Sequence, residues 1–380
     1  MRSTLSHLEC ARCGRRHDAT VLQNRCPCGG TLLARYDLGQ IDAGAFARRR
    51  PGPFRYEELL PMNHPPVSLG EPETPLLALP RLSDEWGTEV LVKDDAPLPG
   101  GTFKARGAMV GLSRARELGA ERLVMPSAGN AGGAWSLYAA RARLPITVTM
   151  ARTAPAANRG EVTLAGGQLE LVDGTIADAA RRAKEIAADT GAFLAATFSE
   201  PYRLEGKKTA WLETFDARGW RLPTTIVFPV GGGVALVAAA KAAAEVRALG
   251  LAEDASPRLV GVQPAGCAPI VRAYEAGGDE VVPWPEVEPT AAARLRVPGP
   301  SEGDLVLQTV RESGGTMMAI DEEDLLSWIG RLARVEGVWA CPEGAAAFAG
   351  AARLAAEGNL EGPAVIYNTG TGAKYADVAS

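Results

Sequence analysis

At 380 residues, 46% hydrophobic and 22% charged, the chain is long enough for two sizeable α/β lobes with buried cores. Its net charge of −5 gives no basis for nucleic-acid binding. No apolar run reaches membrane-spanning length, because the most apolar helical pattern, Val234 to Val246, is interrupted by Lys241 and Glu245. The stretch from Met1 to Cys10 has no signal-peptide hydrophobic region, so a cytoplasmic protein is expected.

The first organised segment is read from its cysteines. Cys10, Cys13, Cys26 and Cys28 form a C-x2-C and then a C-x-C knuckle, with Gly14, Gly29 and Gly30 at the turns. Four thiolates from two turns suit a tetrahedral structural zinc. The second knuckle is one residue short of the usual spacing. Two disulfides, or four free thiols in a degenerate ribbon, are the alternatives, and a reducing cytoplasm disfavours the disulfides. His17 is at most a bystander or alternative zinc ligand and is expected to be exposed. Cys267 and Cys341 sit in apolar surroundings and are expected to be core thiols. A Pro/Arg-rich connector, Arg48-Arg49-Arg50-Pro51-Gly52-Pro53, follows the ribbon.

Beyond the connector, strand and helix patterns alternate. Strands are expected at 89–93, 121–126, 145–150, 168–172, 192–196, 224–230, 258–263 and 363–368. Such alternation predicts parallel sheets flanked by helices. No internal repeat or low-complexity tract is present.

The first of these strands leads through a Pro/Gly-rich turn into Gly100-Gly101-Thr102-Phe103-Lys104-Ala105-Arg106-Gly107. Lys104 falls in the first turn of a predicted helix, where the dipole disfavours a cation. An amine that condenses with an aldehyde escapes that cost, and pyridoxal phosphate is the usual aldehyde. On this segment alone, a solvated surface lysine is an equal alternative.

Three further turns follow predicted strands. Ser127-Ala128-Gly129-Asn130-Ala131-Gly132-Gly133 comes after Leu123 to Met125. Gly231-Gly232-Gly233 comes after Thr225 to Val230. Asn368-Thr369-Gly370-Thr371-Gly372 comes after Ala364 to Tyr367. The backbone N–H groups of the first two can hold an anion. In an open parallel sheet such turns gather at the carboxyl ends of the strands.

Other α/β chemistries fit poorly. A dinucleotide site needs G-x-G-x-x-G and an acid ending the next strand; here that strand ends Val262-Gln263-Pro264. The Gly-Lys-Ser/Thr of a P-loop is absent. The three histidines, His7, His17 and His64, all precede the main motifs, so a Ser-His or Cys-His mechanism lacks its base. An imine-forming lysine moves protons without one.

These segments together resemble the fold-type II (tryptophan synthase β-like) pyridoxal-phosphate enzymes, and within that group the threonine synthases. The matching pieces are Leu69-Gly70-Glu71, Thr74-Pro75-Leu76, Thr102 to Gly107, Ser127 to Asn130, Arg203-Leu204-Glu205-Gly206, Gly231 to Gly233 and Thr369-Gly370. They follow the family's order and spacing and cover the chain from about Phe54 onward. Several threonine-synthase-like chains carry a similar N-terminal ribbon.

The resemblance implies a role for each segment. Lys104 would carry the cofactor. Asn130 would hydrogen-bond its phenolic oxygen, and Gly231, Gly232, Gly233 and Val234 would cradle its phosphate. Thr369 would face its pyridine nitrogen. Thr102, Ser127, Ala128 and Gly129 would receive the substrate, with Arg203 and Lys207 as ligands for a distal anion. Taken singly, Asn130 is equally a helix N-cap, the glycines equally packing residues, and Thr369 equally a buried hydroxyl.

The implied fold is two-lobed, with a ribbon at 1–36, a connector and the start of the large lobe at 37–99, a small lobe at 100–198 and the rest of the large lobe at 199–380. The cofactor would lie in the cleft between lobes. The implied activity is that of a lyase on an amino acid, most like threonine synthase, in an expected homodimer. The family's frequent hydroxyl and asparagine positions read Ala128, Ala131 and Gly232 here. These changes keep a serine/threonine ammonia-lyase, or a specialised elimination-replacement enzyme, open as the alternative.

Overall fold

In chain order the elements of the computed structural model are β1 (Leu5–Cys10), β2 (Arg16–His17), β3 (Leu32–Tyr36), α1 (Gly44–Arg48), β4 (Leu76–Ala78), α2 (Pro80–Trp86), β5 (Val90–Asp94) and α3 (Lys104–Glu117). Next come β6 (Leu123–Pro126), α4 (Asn130–Ala142), β7 (Ile146–Ala151), α5 (Ala156–Leu164), β8 (Gln168–Val172), α6 (Ile176–Thr190), β9 (Phe193–Leu194) and α7 (Arg203–Ala217). The chain closes with β10 (Thr225–Pro229), α8 (Val234–Ala248), β11 (Arg258–Pro264), α9 (Pro269–Glu275), α10 (Gly303–Glu312), β12 (Thr316–Ile320), α11 (Glu322–Glu336), α12 (Pro342–Ala356) and β13 (Ala364–Asn368). Residues 2–378 are described.

Two compact units share the chain. The first takes the N-terminal segment up to Pro72 together with Lys104–Thr209; the second takes Glu73–Phe103 and the chain from Ala210 onward. The first unit holds an antiparallel three-stranded sheet, β2-β1-β3, within the cysteine segment. It also holds a parallel sheet in the order β8-β7-β6-β9. β6 is the best buried of these strands, and its apolar residues Leu123, Val124 and Met125 are all shielded from solvent.

The second unit is built on a six-stranded sheet, β12-β11-β10-β13-β5-β4, parallel except for the edge pair β4–β5. On one face Val90, Val227, Val260 and Ile366 share a core with Phe348 and Trp328, whose rings stack at 6.1 Å. Trp211, Phe228 and Tyr367 form a second aromatic group with centroids 4.9 to 6.3 Å apart. Buried on both faces, these strands appear in sequence as continuous apolar runs.

All eight expected strands are present, although the one expected at 192–196 is only β9, two residues long. Two strands of the larger sheet, β4 and β12, were not expected. Both lie at its edges, where a short half-exposed strand carries little pattern. His17 is half-buried on β2 rather than exposed.

Some charges that break up apolar patterns in sequence turn inward. Lys241 and Glu245 are both buried on α8 and hydrogen-bond to each other one helical turn apart. Among the described residues, no helix is long and apolar enough to cross a membrane.

Candidate active site

In the first unit, α3 and α7 cross at two glycines. A Cβ on Gly206 would lie 1.9 Å from the Arg106 carbonyl oxygen, a contact no real side chain makes. A Cβ on Gly107 would lie 3.2 Å from Arg203 Cβ and 3.5 Å from Lys207 Cε. The glycines of Arg106-Gly107 and Glu205-Gly206 thus bring the first turn of α3, which begins at Lys104, against the first turn of α7. Arg106 is fully buried and donates from Nη1 to Thr209 Oγ1 at 2.7 Å, tying the same crossing.

This crossing places Arg203 and Lys207 beside α3, both buried. Arg203 is heavily committed within the unit. Its Nε donates to Glu200 Oε1 at 2.6 Å and its Nη1 to Thr197 Oγ1 at 3.1 Å, while Nη2 donates to the Ala195 carbonyl. Its guanidinium also lies 4.9 Å from the centre of the Trp135 ring. Glu200 offers no distinctive signal in sequence.

The turn between β6 and α4 is organised by Ser127. Its hydroxyl accepts from the Gly129 and Gly132 amides at 3.2 and 2.9 Å and donates to the Gly129 carbonyl at 2.9 Å. Ala128 stands exposed at the tip, while Gly129 and Asn130 are buried. Asn130 opens α4, and its Oδ1 accepts from Asn158 Nδ2 at 3.0 Å.

The second unit carries the remaining residues. The turn Gly231-Gly232-Gly233 runs from β10 into the fifteen-residue α8, whose first residue is Val234. Gly233 adopts φ 78°, and a Cβ there would meet Val306 Cγ2 at 2.2 Å, so only glycine lets the backbone open the helix in this way. Thr102 and Thr369 are brought together. The Thr369 carbonyl accepts from Thr102 Oγ1 at 3.4 Å and from the Phe103 amide at 2.9 Å, one residue before Lys104.

The Thr369 hydroxyl lies 3.4 Å from Cys341 Sγ. Burial pushes the Cys341 thiol up to about 12, so it remains a neutral thiol beside that hydroxyl. Both outlying cysteines, Cys267 and Cys341, are core thiols as expected. Cys341 as a neighbour of Thr369 gives no sign in sequence, because 28 residues separate them.

The cysteine segment brings four thiols together. The sulfurs of Cys10, Cys13, Cys26 and Cys28 all lie within 4.8 Å of one another. The pairs Cys10–Cys28 and Cys13–Cys28 stand at 3.5 Å and Cys13–Cys26 at 3.7 Å. Four sulfurs about 2.3 Å from a central zinc would be separated by about 3.8 Å. The Gly30 amide, and then the neighbouring thiols, bring Cys28 down to about 6. The segment is fastened to the rest of its unit by Thr31 Oγ1 on the Phe198 carbonyl at 2.7 Å and by Tyr36 OH on Glu205 Oε2 at 2.9 Å.

The family described as Pyridoxal-phosphate dependent enzyme matches residues 67–370. The threonine synthase of Methanosarcina acetivorans is 32% identical over 353 residues, covering 92% of this chain and 86% of its own. That of Methanocaldococcus jannaschii is 31% identical over 380 residues, covering 97% and 93%. Among solved structures, maize serine racemase is similar with a TM-score of 0.67 at 23% identity, covering 79% of this chain and 88% of its own. At that identity the likeness speaks for the fold. With a family match over most of its length, this chain belongs to the pyridoxal-phosphate dependent enzymes.

Proposed function

We propose that this enzyme is a threonine synthase, a lyase that takes O-phosphohomoserine and water to threonine and phosphate. The observation that carries the reading is the similarity to named threonine synthases, sustained over 97% of the chain in one case. The residues present fit the cofactor. The glycine turn before α8 offers backbone N–H groups at a helix N-terminus, as a phosphate requires. The Asn130 carbonyl accepts from Asn158, so the other end of that amide is an NH2 donor, the polarity an anionic ring oxygen needs. Thr369 sits beside a neutral thiol, which suits an uncharged pyridine nitrogen.

In this reading pyridoxal phosphate supplies the electron sink for carbanion chemistry at the substrate. Gly231, Gly232, Gly233 and Val234 hold the phosphate, and Asn130 orients the ring through its oxygen. Lys104 would hold the cofactor, and its amine would take a proton from the substrate and later return one. The Ser127–Gly129 turn, with Ser127 fixing its shape, receives the substrate carboxylate on backbone N–H groups. Thr102 lines the approach to it. Lys207, with Arg203 behind it, holds the departing phosphate.

One observation favours the second reading, a serine/threonine ammonia-lyase. Arg203 already directs Nε, Nη1 and Nη2 to Glu200, Thr197 and the Ala195 carbonyl. An arginine so engaged has less to give a phosphate, which takes several charge-assisted hydrogen bonds. Parallel assays separate the two. Threonine synthase activity yields threonine and inorganic phosphate from O-phosphohomoserine, and Lys207→Ala lowers it far more than any activity on serine. Release of ammonia and 2-oxobutyrate from threonine, without threonine formation, would end the threonine synthase reading.

The four-cysteine cluster is proposed to bind one structural zinc, its sulfur spacing being the support. Elemental analysis is expected to find about one zinc per chain, as a single four-thiolate site demands. Cys26→Ser should release the metal and loosen the ribbon while largely sparing catalysis, since a closed site keeps no coordination position open to substrate. Metal-free protein with an intact ribbon would show the cluster to be vestigial.

A further inference from the structure

Asn158 lies on α5 with none of its surface exposed. Its Nδ2 donates to Asn130 Oδ1 at 3.0 Å and to Glu161 Oε2 at 3.3 Å. A carboxylate only accepts hydrogen bonds, so Glu161 decides which end of the Asn158 amide faces it. The second hydrogen of the same NH2 then meets the Asn130 carbonyl. The order runs from carboxylate to amide to amide, and it fixes the end of the Asn130 side chain away from Asn158 as NH2, a donor.

The place of Glu161 in this series depends on Gly133. A Cβ on Gly133 would lie 2.4 Å from Glu161 Oε2 and 2.8 Å from Glu161 Cβ. The last glycine of the Gly129–Gly133 turn therefore makes room for the carboxylate, a role that close helix–strand packing does not account for.

We propose that Asn158, locked by Glu161, is a positioning residue that presents the N–H end of Asn130 to the cofactor's ring oxygen; this rests on the assignment of Asn130 to that oxygen. Without the lock the Asn130 amide can turn over. Its carbonyl would then face an anionic oxygen, and a favourable hydrogen bond would become a repulsion between two acceptors. Asn158→Asp preserves shape and reverses the series. The new side chain offers Asn130 an acceptor, whether it is ionised or shares a proton with Glu161, so Asn130 turns its NH2 inward. Glu161→Gln preserves shape and leaves Asn158 without a fixed polarity.

The test titrates metal-replete apoprotein with pyridoxal phosphate and follows the visible band, its pH midpoint and thermal unfolding. Asn158→Asp is expected to weaken cofactor binding about tenfold or more, the usual loss of a hydrogen bond to a charged group, and to shift the band and its pH midpoint. Glu161→Gln should move both readouts the same way by less, with little change in the unfolding temperature of the apoprotein. Should Asn158→Asp fail to fold, Glu161→Gln decides. Wild-type affinity and pH midpoint in the folded variants would overturn the proposal, as would lowered melting temperatures with an unchanged band. Wild-type protein that takes up no pyridoxal phosphate would instead overturn the cofactor assignment, and the proposal with it.

Discussion

Lys104→Ala is expected to lower turnover by at least roughly 10²–10⁴-fold, the loss that follows from removing a positioned proton-transfer group alone. The three histidines, His7, His17 and His64, all precede Lys104 and the glycine turns in the chain. The variant also loses the covalent attachment point, while the glycine turn before α8 can still hold the cofactor's phosphate. Protein that lacks the imine band but keeps some non-covalent cofactor uptake is therefore the expected state. Borohydride treatment of wild-type protein should leave the cofactor on the peptide containing Lys104, as mass spectrometry reads it. A label on another lysine, or an alanine variant with wild-type turnover, would refute the assignment.

Lys93→Met is expected to cost about 3–5 kcal/mol, the loss on stranding one partner of a buried ion pair. Lys93 on β5 meets Glu213 on α7 at 2.7 Å, and each side chain is only 1% exposed. The ammonium also donates to the Thr74 carbonyl at 2.8 Å. Thr74 in turn donates to Asp95, which accepts from Tyr367 as well, so the pair anchors a buried polar network. Without the lysine, the buried Glu213 carboxyl loses its counter-charge and must either stay ionised or take up a proton, each at a cost. The melting temperature should fall by roughly 4–6 °C, at about 1.3 °C per kcal/mol for a chain of 380 residues. Adding Glu213→Leu should restore much of the loss, because no charge is then stranded. A drop of only a degree or two in the single variant would count against a buried pair.

Much of this architecture is legible in the chain itself. The buried parallel strands show as unbroken apolar runs, and the glycine turns follow them directly. Lys104 and Asn130 stand out because each begins a helix that follows a strand, and Gly231 because it starts the turn from β10 into α8. What escapes is set by distance along the chain or by edge position. Lys93 is only a lysine near a strand end until Glu213, 120 residues on, is packed against it. β12, Thr316–Ile320, is half-buried at a sheet edge and lacks the valine-rich run of its neighbours. Arg203 looks like an anion ligand in sequence because its partners Thr197 and Glu200 lie in an irregular loop. Asn158 looks like an ordinary polar residue in a helix, since the polarity it imposes exists only once Glu161 and Asn130 flank it.

The distribution of the cysteines has a practical consequence for chemical labelling. Cys13 and Cys28 are the exposed thiols of the six, and Cys28 ionises readily. Burial holds Cys267 above its ordinary value, and Cys341 at about 12 has roughly one thiolate in 10⁵ at pH 7. A maleimide or dithionitrobenzoate reagent at neutral pH should therefore react at the ribbon and spare the buried Cys267 and Cys341. The rate of that reaction gives a direct measure of ribbon occupancy in unmodified protein: a bound metal protects Cys13 and Cys28, and a chelator exposes them.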